Sequence, residues 1–325
     1  PCRDDLIATH QSGPAIKPGR QQSHQSKRRG TEAESVDQFL QHIMNAVMLG
    51  STYALLGIGL TLVFGIMKIV NFTHGEFYAL GAYMAYLFVV QLGVNFFVAI
   101  LLATSIGIVV GAALEFFILR RLKTTDIDSI MLLMIGLWIA MQNTEQLIWG
   151  GVAKLIPSPF SQQPVVFGPV SVSPLKIFVL ITAVFLLIAF HFLINHTRLG
   201  LAMRSTFQDR DVAALMGVNV GTIYLATFAL GSGLAAVAGA LLGPIFLVNP
   251  TMGDLASLKA FAIVILGGLG STVGATIGGF ALALVEEFGA GYLSADFRDA
   301  YSFLVIVAVL ILRPQGLFAM KERVG

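Results

Sequence analysis

The sequence predicts an all-α integral membrane protein, a bundle of about eight to nine transmembrane helices with a short cytoplasmic coupling helix. Three observations carry this. The 325 residues are 56% hydrophobic and only 12% charged, about half the roughly 25% charge of soluble domains. The apolar residues collect in long runs, several near the ~20 residues that a bilayer span requires. One compact charged break, RLGLAMRSTFQDRDVAALMGVNVGTIY at 198–224, separates the apolar runs 177–194 and 227–247.

Along the chain, residues 1–38 are polar, rich in Gln, Ser and Arg, without an apolar period or a signal-peptide core. They are expected to be a disordered extension ahead of a permease domain at 39–320. Apolar runs then follow at 40–67, 75–92, 95–119, 128–149, 175–196, 222–248, 257–270, 271–288 and 300–313. The runs 257–270 and 271–288 meet at LGGLGST (266–272), the turn of a full or a re-entrant hairpin. The connection 150–174 holds Pro157, Pro159, Pro164, Pro169 and Pro174. Five prolines preclude a long helix there and predict a stiff, extended excursion over the membrane surface.

Lys and Arg concentrate on the cytoplasmic side of membrane proteins. One set of connections holds Arg120, Arg121, Lys123, Arg198, Arg204, Arg210, Arg313, Lys321 and Arg323; the opposite set holds Lys154, Lys176, Lys259 and Arg298. The first set is therefore expected inside. Nine spans then place the N-terminus outside, whereas Lys27–Arg29 favours an eight-span alternative, and both stay open. The net charge of +2 is too small to imply a nucleic-acid partner. A single cysteine, Cys2, allows no internal disulfide and no cysteine-based metal site.

Two constellations are candidates for function. The charged break, with its coupling segment at 198–221, offers Arg204, Asp209, Arg210, Asp211, Ala213, Ala214 and Gly217. Asp211 suits a helix N-terminus, where the dipole favours an acid, and Gly217 suits its end. The result is a short rigid knob whose Ala213, Ala214, Leu215 and Met216 call for a partner surface. The second constellation is Asn71, Thr73, His74 and Glu76 between the first two runs. Polar groups at that depth either line a wet path or satisfy one another. The group is thus a gate near the cytoplasmic end of a translocation path, or a hydrogen-bonded cluster with Asn71, Thr73 and Glu76 as helix caps. Lesser candidates are Gln142, Asn143 and Glu145. Glu286 and Glu287 are expected at the water interface, and Trp138 and Trp149 as interface anchors.

Of the 34 glycines, Gly107/Gly111, Gly239/Gly243 and Gly274/Gly278 stand four apart, a spacing that lets helices approach closely in lipid. Catalytic patterns are missing: no Walker loop, HExxH or GxSxG occurs. GSGLAA (231–236) fits a loose dinucleotide pattern, but lies in an apolar helix without a preceding strand. The expectation is a non-enzyme with no cofactor and no metal, whose energy comes from another chain.

These residues resemble the LivH-type permease subunit of branched-chain amino-acid ABC importers. The resemblance rests on LGSTYALLGIGLTLVFGIMKIVNFTHGEFYALGAY (49–83), RSTFQDRDVAALMGVNV (204–220), FALGSGLAAVAGALLGP (228–244), NPTMGDLASLKAFAIVILGGLGSTVGATIGGFALALVEE (249–287) and RPQGLF (313–318). It covers about residues 36–320. It implies a multi-pass protein of the inner membrane, a second permease subunit (LivM-like), two cytoplasmic ABC ATPase subunits and an external solute-binding protein. It also implies that 204–217 is a degenerate form of the importers' coupling loop, with Asp211, Ala213 and Gly217 on its spacing and Val212 where alanine is usual. Urea and short-amide importers of the same family look alike, since selectivity rests largely with the binding protein. An ATP-independent secondary transporter is the alternative from another class. It requires ion-coupling residues and inverted repeats, for which 74–81 against 274–279 is a weak echo.

Overall fold

The computed structural model describes residues 20–122, 127–161, 163–168, 170–313 and 316–318, with side chains from Val36 onward except those of residues 127 and 167. Expectations resting on residues 1–19, Cys2, the Lys27–Arg29 side chains, Lys123, Pro169, Lys321 and Arg323 lie outside the described residues. The helices are α1 (Arg20–Met67), α2 (His74–Tyr86, continued by a π turn over Leu87–Gln91), α3 (Phe96–Phe117), α4 (Ile127–Trp149) and α5 (Pro174–His196). Then come α6 (Arg198–Gln208), α7 (Arg210–Leu215), α8 (Val220–Leu242), α9 (Met252–Gly267), α10 (Thr272–Tyr292) and α11 (Arg298–Leu312). Each of the nine apolar runs therefore holds a helix, and the charged break holds α6 and α7. Among the described residues, five stretches are long and apolar enough to cross a bilayer: Val36–Met67, Phe96–Arg121, Pro174–His196, Val220–Leu242 and Thr272–Tyr292.

Local chemistry sets the ends. The side chains of Asn95, Asn219 and Ser271 accept from the backbone N–H groups of Phe97, Thr222 and Gly274 at 3.0, 3.1 and 3.0 Å, which satisfies donors that a helix start leaves free. Pro174 opens α5, where its missing N–H costs nothing. Between α9 and α10, Gly268 and Gly270 adopt φ of +94° and +84°, a left-handed turn open to glycine. The proline-rich connection contains no α-helix among its described residues. It forms a small antiparallel hairpin, β1 (Val165–Phe167) with β2 (Val170–Val172), and Lys154 bridges to Val248.

α1, α2 and α8 form the centre. α1 packs chiefly on α10, and α8 on α3 and α2. The most apolar window of α1 is 89% buried and that of α8 78%, against 28% for α3 and 22% for α5. α3 and α5 are thus peripheral. Glycines permit the close contacts, as lipid supplies no hydrophobic drive for helix association and backbones must approach for dispersion to act. Gly239 lies directly on the Tyr78 backbone, Gly81 on the Ala236 backbone, and Gly274 on the Gly267 backbone. Gly107 meets the Ala236 side chain, Gly111 meets Ser232, Gly243 faces Ile156 and Ala82, and Gly278 faces the Ile263 carbonyl.

Two helices begin inside the bundle. Lys68, at φ +55°, turns the chain back after α1. Residues 68–73 return alongside it, and α2 starts about three turns back from the end of α1, with His74 Nε2 2.9 Å from the Leu56 carbonyl. α9 starts against α2: the Gly75 N–H donates to Ser257 Oγ at 3.0 Å, and Gly253 abuts the Glu76 carboxyl.

Candidate functional site

The charged break forms a rigid bracket at the basic end of the bundle. Thr197 Oγ1 caps α6, accepting from Gly200 N at 3.1 Å. α6 turns Gly200, Met203 and Thr206 inward and leaves Leu201 and Arg204 exposed. Near its end Phe207 wedges between Gly65, in the last turn of α1, and Gly270, in the α9–α10 turn. Asp209 then caps α7, its Oδ1 accepting from Asp211 N at 2.9 Å and Val212 N at 3.0 Å. Asp211 occupies the first turn; Asp209 is the cap, and an Asp just before an apolar helical stretch is the signal that identifies it. Gly217, at φ +87°, closes α7. Gly217 N donates to the Ala214 carbonyl and Val218 N to the Ala213 carbonyl, at 3.0 and 3.1 Å, the paired bonds of a Schellman end. Ala213 turns inward, 3% exposed, while Leu215 and Met216 stand 87% and 82% exposed at the tip. Arg210 lies 3.5 Å from Asp211 as an exposed pair, which contributes little. Arg204 reaches the Asn195 carbonyl at 3.4 Å.

The constellation at Asn71–Glu76 is wholly buried. Asn71 Oδ1 accepts from Thr73 N at 3.0 Å, and Thr73 Oγ1 donates to the Met134 carbonyl of α4 at 3.0 Å. Thr73 thus occupies the N-cap position of α2 without capping it, because its hydroxyl crosses to α4. Ser257 Oγ donates back to the Phe72 carbonyl at 3.2 Å. Both Glu76 oxygens, Asn71 Nδ2 and His74 Nδ1 are buried without a hydrogen-bond partner. Glu145 of α4 and Asp254 of α9 lie close enough to act on Glu76 electrostatically, and Glu145 is likewise unpartnered, as is the Tyr83 hydroxyl. Asp254 accepts from Trp138 Nε1 and Gln142 Nε2, each at 2.9 Å. Trp149 stacks on Tyr83 with ring centroids 4.8 Å apart. The two tryptophans expected as interface anchors therefore turn towards the protein, because α4 presents them to α9 and α2. Asn143 bonds only its own helix, at the Ile139 carbonyl.

A second polar network gathers around Glu286, which is enclosed by protein, whereas Glu287 keeps 12% side-chain exposure. Glu286 is 0% exposed. Its Oε2 accepts from the Tyr53 hydroxyl at 2.8 Å and from Lys259 Nζ at 3.2 Å, and its Oε1 from the Ser302 hydroxyl. Lys259 also pairs with Asp299 at 3.0 Å, and Arg298 pairs with Glu287. The reason lies in the packing: α10 buries Leu282, Glu286 and Gly289 along one face, and a carboxylate there requires a counter-charge. Lys259, which the sequence places among loop cations, is that counter-charge from within α9. Beside the network opens a cavity of about 540 Å³ between α1, α2, the segment after α8, α9 and the start of α11. Among the described residues, no three His, Cys, Asp or Glu side chains converge to hold a metal ion.

An apolar helical bundle with glycine-mediated contacts and several helices long and apolar enough to cross a bilayer has the build of a multi-pass membrane protein. The chain belongs to the family described as "branched-chain amino acid transport system / permease component", whose model matches residues 42–313. It is 34% identical over 297 residues to the high-affinity branched-chain amino acid transport system permease protein LivH of Salmonella typhimurium, covering 87% of this chain and 96% of the relative. BraD of Pseudomonas aeruginosa, a permease protein of the same description, is 34% identical over 298 residues, covering 87% and 97%. LivM of Salmonella typhimurium is 29% identical over 302 residues, covering 83% and 68%. A solved structure, PsaBC from Streptococcus pneumoniae in complex with Fab, superposes with a TM-score of 0.49 at 11% identity, over 86% of this chain and 92% of that one.

Proposed function

We propose that this chain is the permease subunit of an ABC importer that moves branched-chain or related small amino acids across the inner membrane. Its basic end faces the cytoplasm, and the chain crosses the bilayer eight or nine times. It pairs with a LivM-like second permease, receives substrate from an external solute-binding protein, and takes energy from two cytoplasmic ATPase subunits. The observation that carries this reading is the α6–α7 bracket. It is capped at both helix starts, closed by Gly217, and presents Leu215 and Met216 to solvent at 87% and 82% exposure. Apolar tips on a rigid support, at the basic end of a membrane protein, suit docking of a soluble subunit.

Phe207 supplies the transmission. It touches the end of α1 and the α9–α10 turn, so a displacement of the bracket reaches two inner helices directly. ATP binding in the docked subunits shifts the bracket as a rigid body and biases inward- against outward-facing arrangements. In this reading Arg204, Asp209, Arg210, Asp211, Ala213, Ala214 and Gly217 form the coupling element. Asn71, Thr73, His74 and Glu76 line the path where α2 and α9 begin, and Gly239, Gly243, Gly274 and Gly278 keep the moving helices in close contact.

The test is affinity isolation from detergent-solubilised native membranes, with the associated chains identified by mass spectrometry. Recovery of an ATPase subunit and a second permease is expected. The ligand carried by the associated binding protein then separates a branched-chain amino acid from urea or a short amide. Recovery of the chain alone, still active in ATP-free vesicles, overturns the reading in favour of a facilitator.

A further inference from the structure

We propose that the cavity beside the Lys259–Glu286 network is a holding site for a zwitterionic α-amino acid with an apolar side chain. The inference rests on the importer reading and assigns it a substrate-contacting pocket. The volume, about 540 Å³, falls within the usual 300–1,000 Å³ of small-molecule sites.

The lining combines two chemistries. Lys259, Arg298 and Asp299 supply charge, and Leu242, Phe246 and Leu247 supply apolar surface to the same cavity. The charges are of both signs. Glu286, fully buried, holds Lys259 at 3.2 Å, and Tyr53 adds a hydroxyl 2.8 Å from the Lys259 ammonium. Arg298 pairs with Glu287 and Asp299 with Lys259, yet both keep side-chain exposures of 33% and 46%, so each still turns part of its charge to the cavity. A carboxylate fits between Lys259 and Arg298, and an ammonium fits Asp299. The side chain on the same α-carbon then faces the leucine and phenylalanine wall, where burial is favourable. A wholly anionic ligand meets Asp299, and a wholly cationic one meets Arg298 and Lys259. A wall meant for lipid has no use for three charges.

The test uses the assembled transporter in nanodiscs. The permease carries Leu255→Cys, a cavity-lining position 43% exposed, in a Cys2→Ser background. The rate of modification by a small thiol reagent is read with L-leucine, L-arginine or L-glutamate present. Leucine at about ten times its half-protecting concentration is expected to slow modification about tenfold by occupancy, with arginine and glutamate ineffective. Asp299→Asn is expected to remove the protection while the amount of assembled complex stays unchanged. A purely structural Asp299 leaves protection intact, which overturns the assignment. Leucine uptake by the Leu255→Cys complex without leucine protection overturns this inference alone. Absence of leucine uptake by the unaltered complex overturns the importer reading and this inference with it.

Discussion

Asp209, Gly217 and Glu286 each take a role that depends on a few ångströms of local geometry. Asp209→Ala removes two hydrogen bonds at the start of α7 and is expected to cost about 1 kcal/mol of local stability. Gly217→Val forces a branched side chain to φ +87°, at a cost of roughly 1–2 kcal/mol. Hydrogen exchange of the α7 amides in the purified complex should quicken in both variants while α8 stays protected; unchanged exchange refutes the capping assignment. For Glu286, Lys259→Met removes the nearer cation of a buried carboxylate and leaves Arg298 at 3.9 Å, at a cost of about 3 kcal/mol. The yield of detergent-stable protein should fall sharply and recover in part when Glu286→Gln is added. Sequence alone made the break readable, because Asp, small residues and glycine follow helix-capping spacing there. It misjudged Glu286 because six residues from a helix end is compatible with either water or core. The inward face of α10 exists only once α1, α9 and α11 pack on it.

At the scale of elements, the nine apolar runs marked the helices but not their depth. The run 257–270 corresponds to α9 at Met252–Gly267, which begins five residues earlier because Asn249 and Thr251 turn the chain back towards the bundle. The group Asn71–Glu76 was visible as a polar interruption. Its partners on α1, α4 and α9 were not, since tertiary packing alone brings Leu56, Met134 and Ser257 to it. Glu76→Gln is expected to abolish uptake while the amount of assembled complex stays unchanged; loss of assembly instead assigns the group a structural role. Gly239→Leu places a side chain into the Tyr78 backbone and should prevent recovery of folded protein. Gly136→Leu, at a glycine with open space around it, should be tolerated. At the tip of α7, Leu215→Ser with Met216→Ser should lower co-purification of the ATPase subunits without altering the yield of the permease itself.

Across the whole molecule, α1 and α8 lie deep in the bundle, and the α6–α7 bracket touches the end of α1 through Phe207. The charged cavity lies beside Lys259, seven residues into α9, and the bracket sits at that helix's other end, by the α9–α10 turn. In the proposed reading, α9 thus runs from the bracket to the cavity beside Lys259. The most direct measurement of this account is uptake of radiolabelled leucine into proteoliposomes holding the assembled transporter, with binding protein outside and ATP or a non-hydrolysable analogue enclosed. The account predicts accumulation against a gradient with ATP and none with the analogue, and loss of that accumulation when Asp211 is reversed to Lys. Equal uptake with ATP and analogue, or full uptake by the Asp211→Lys protein, contradicts it.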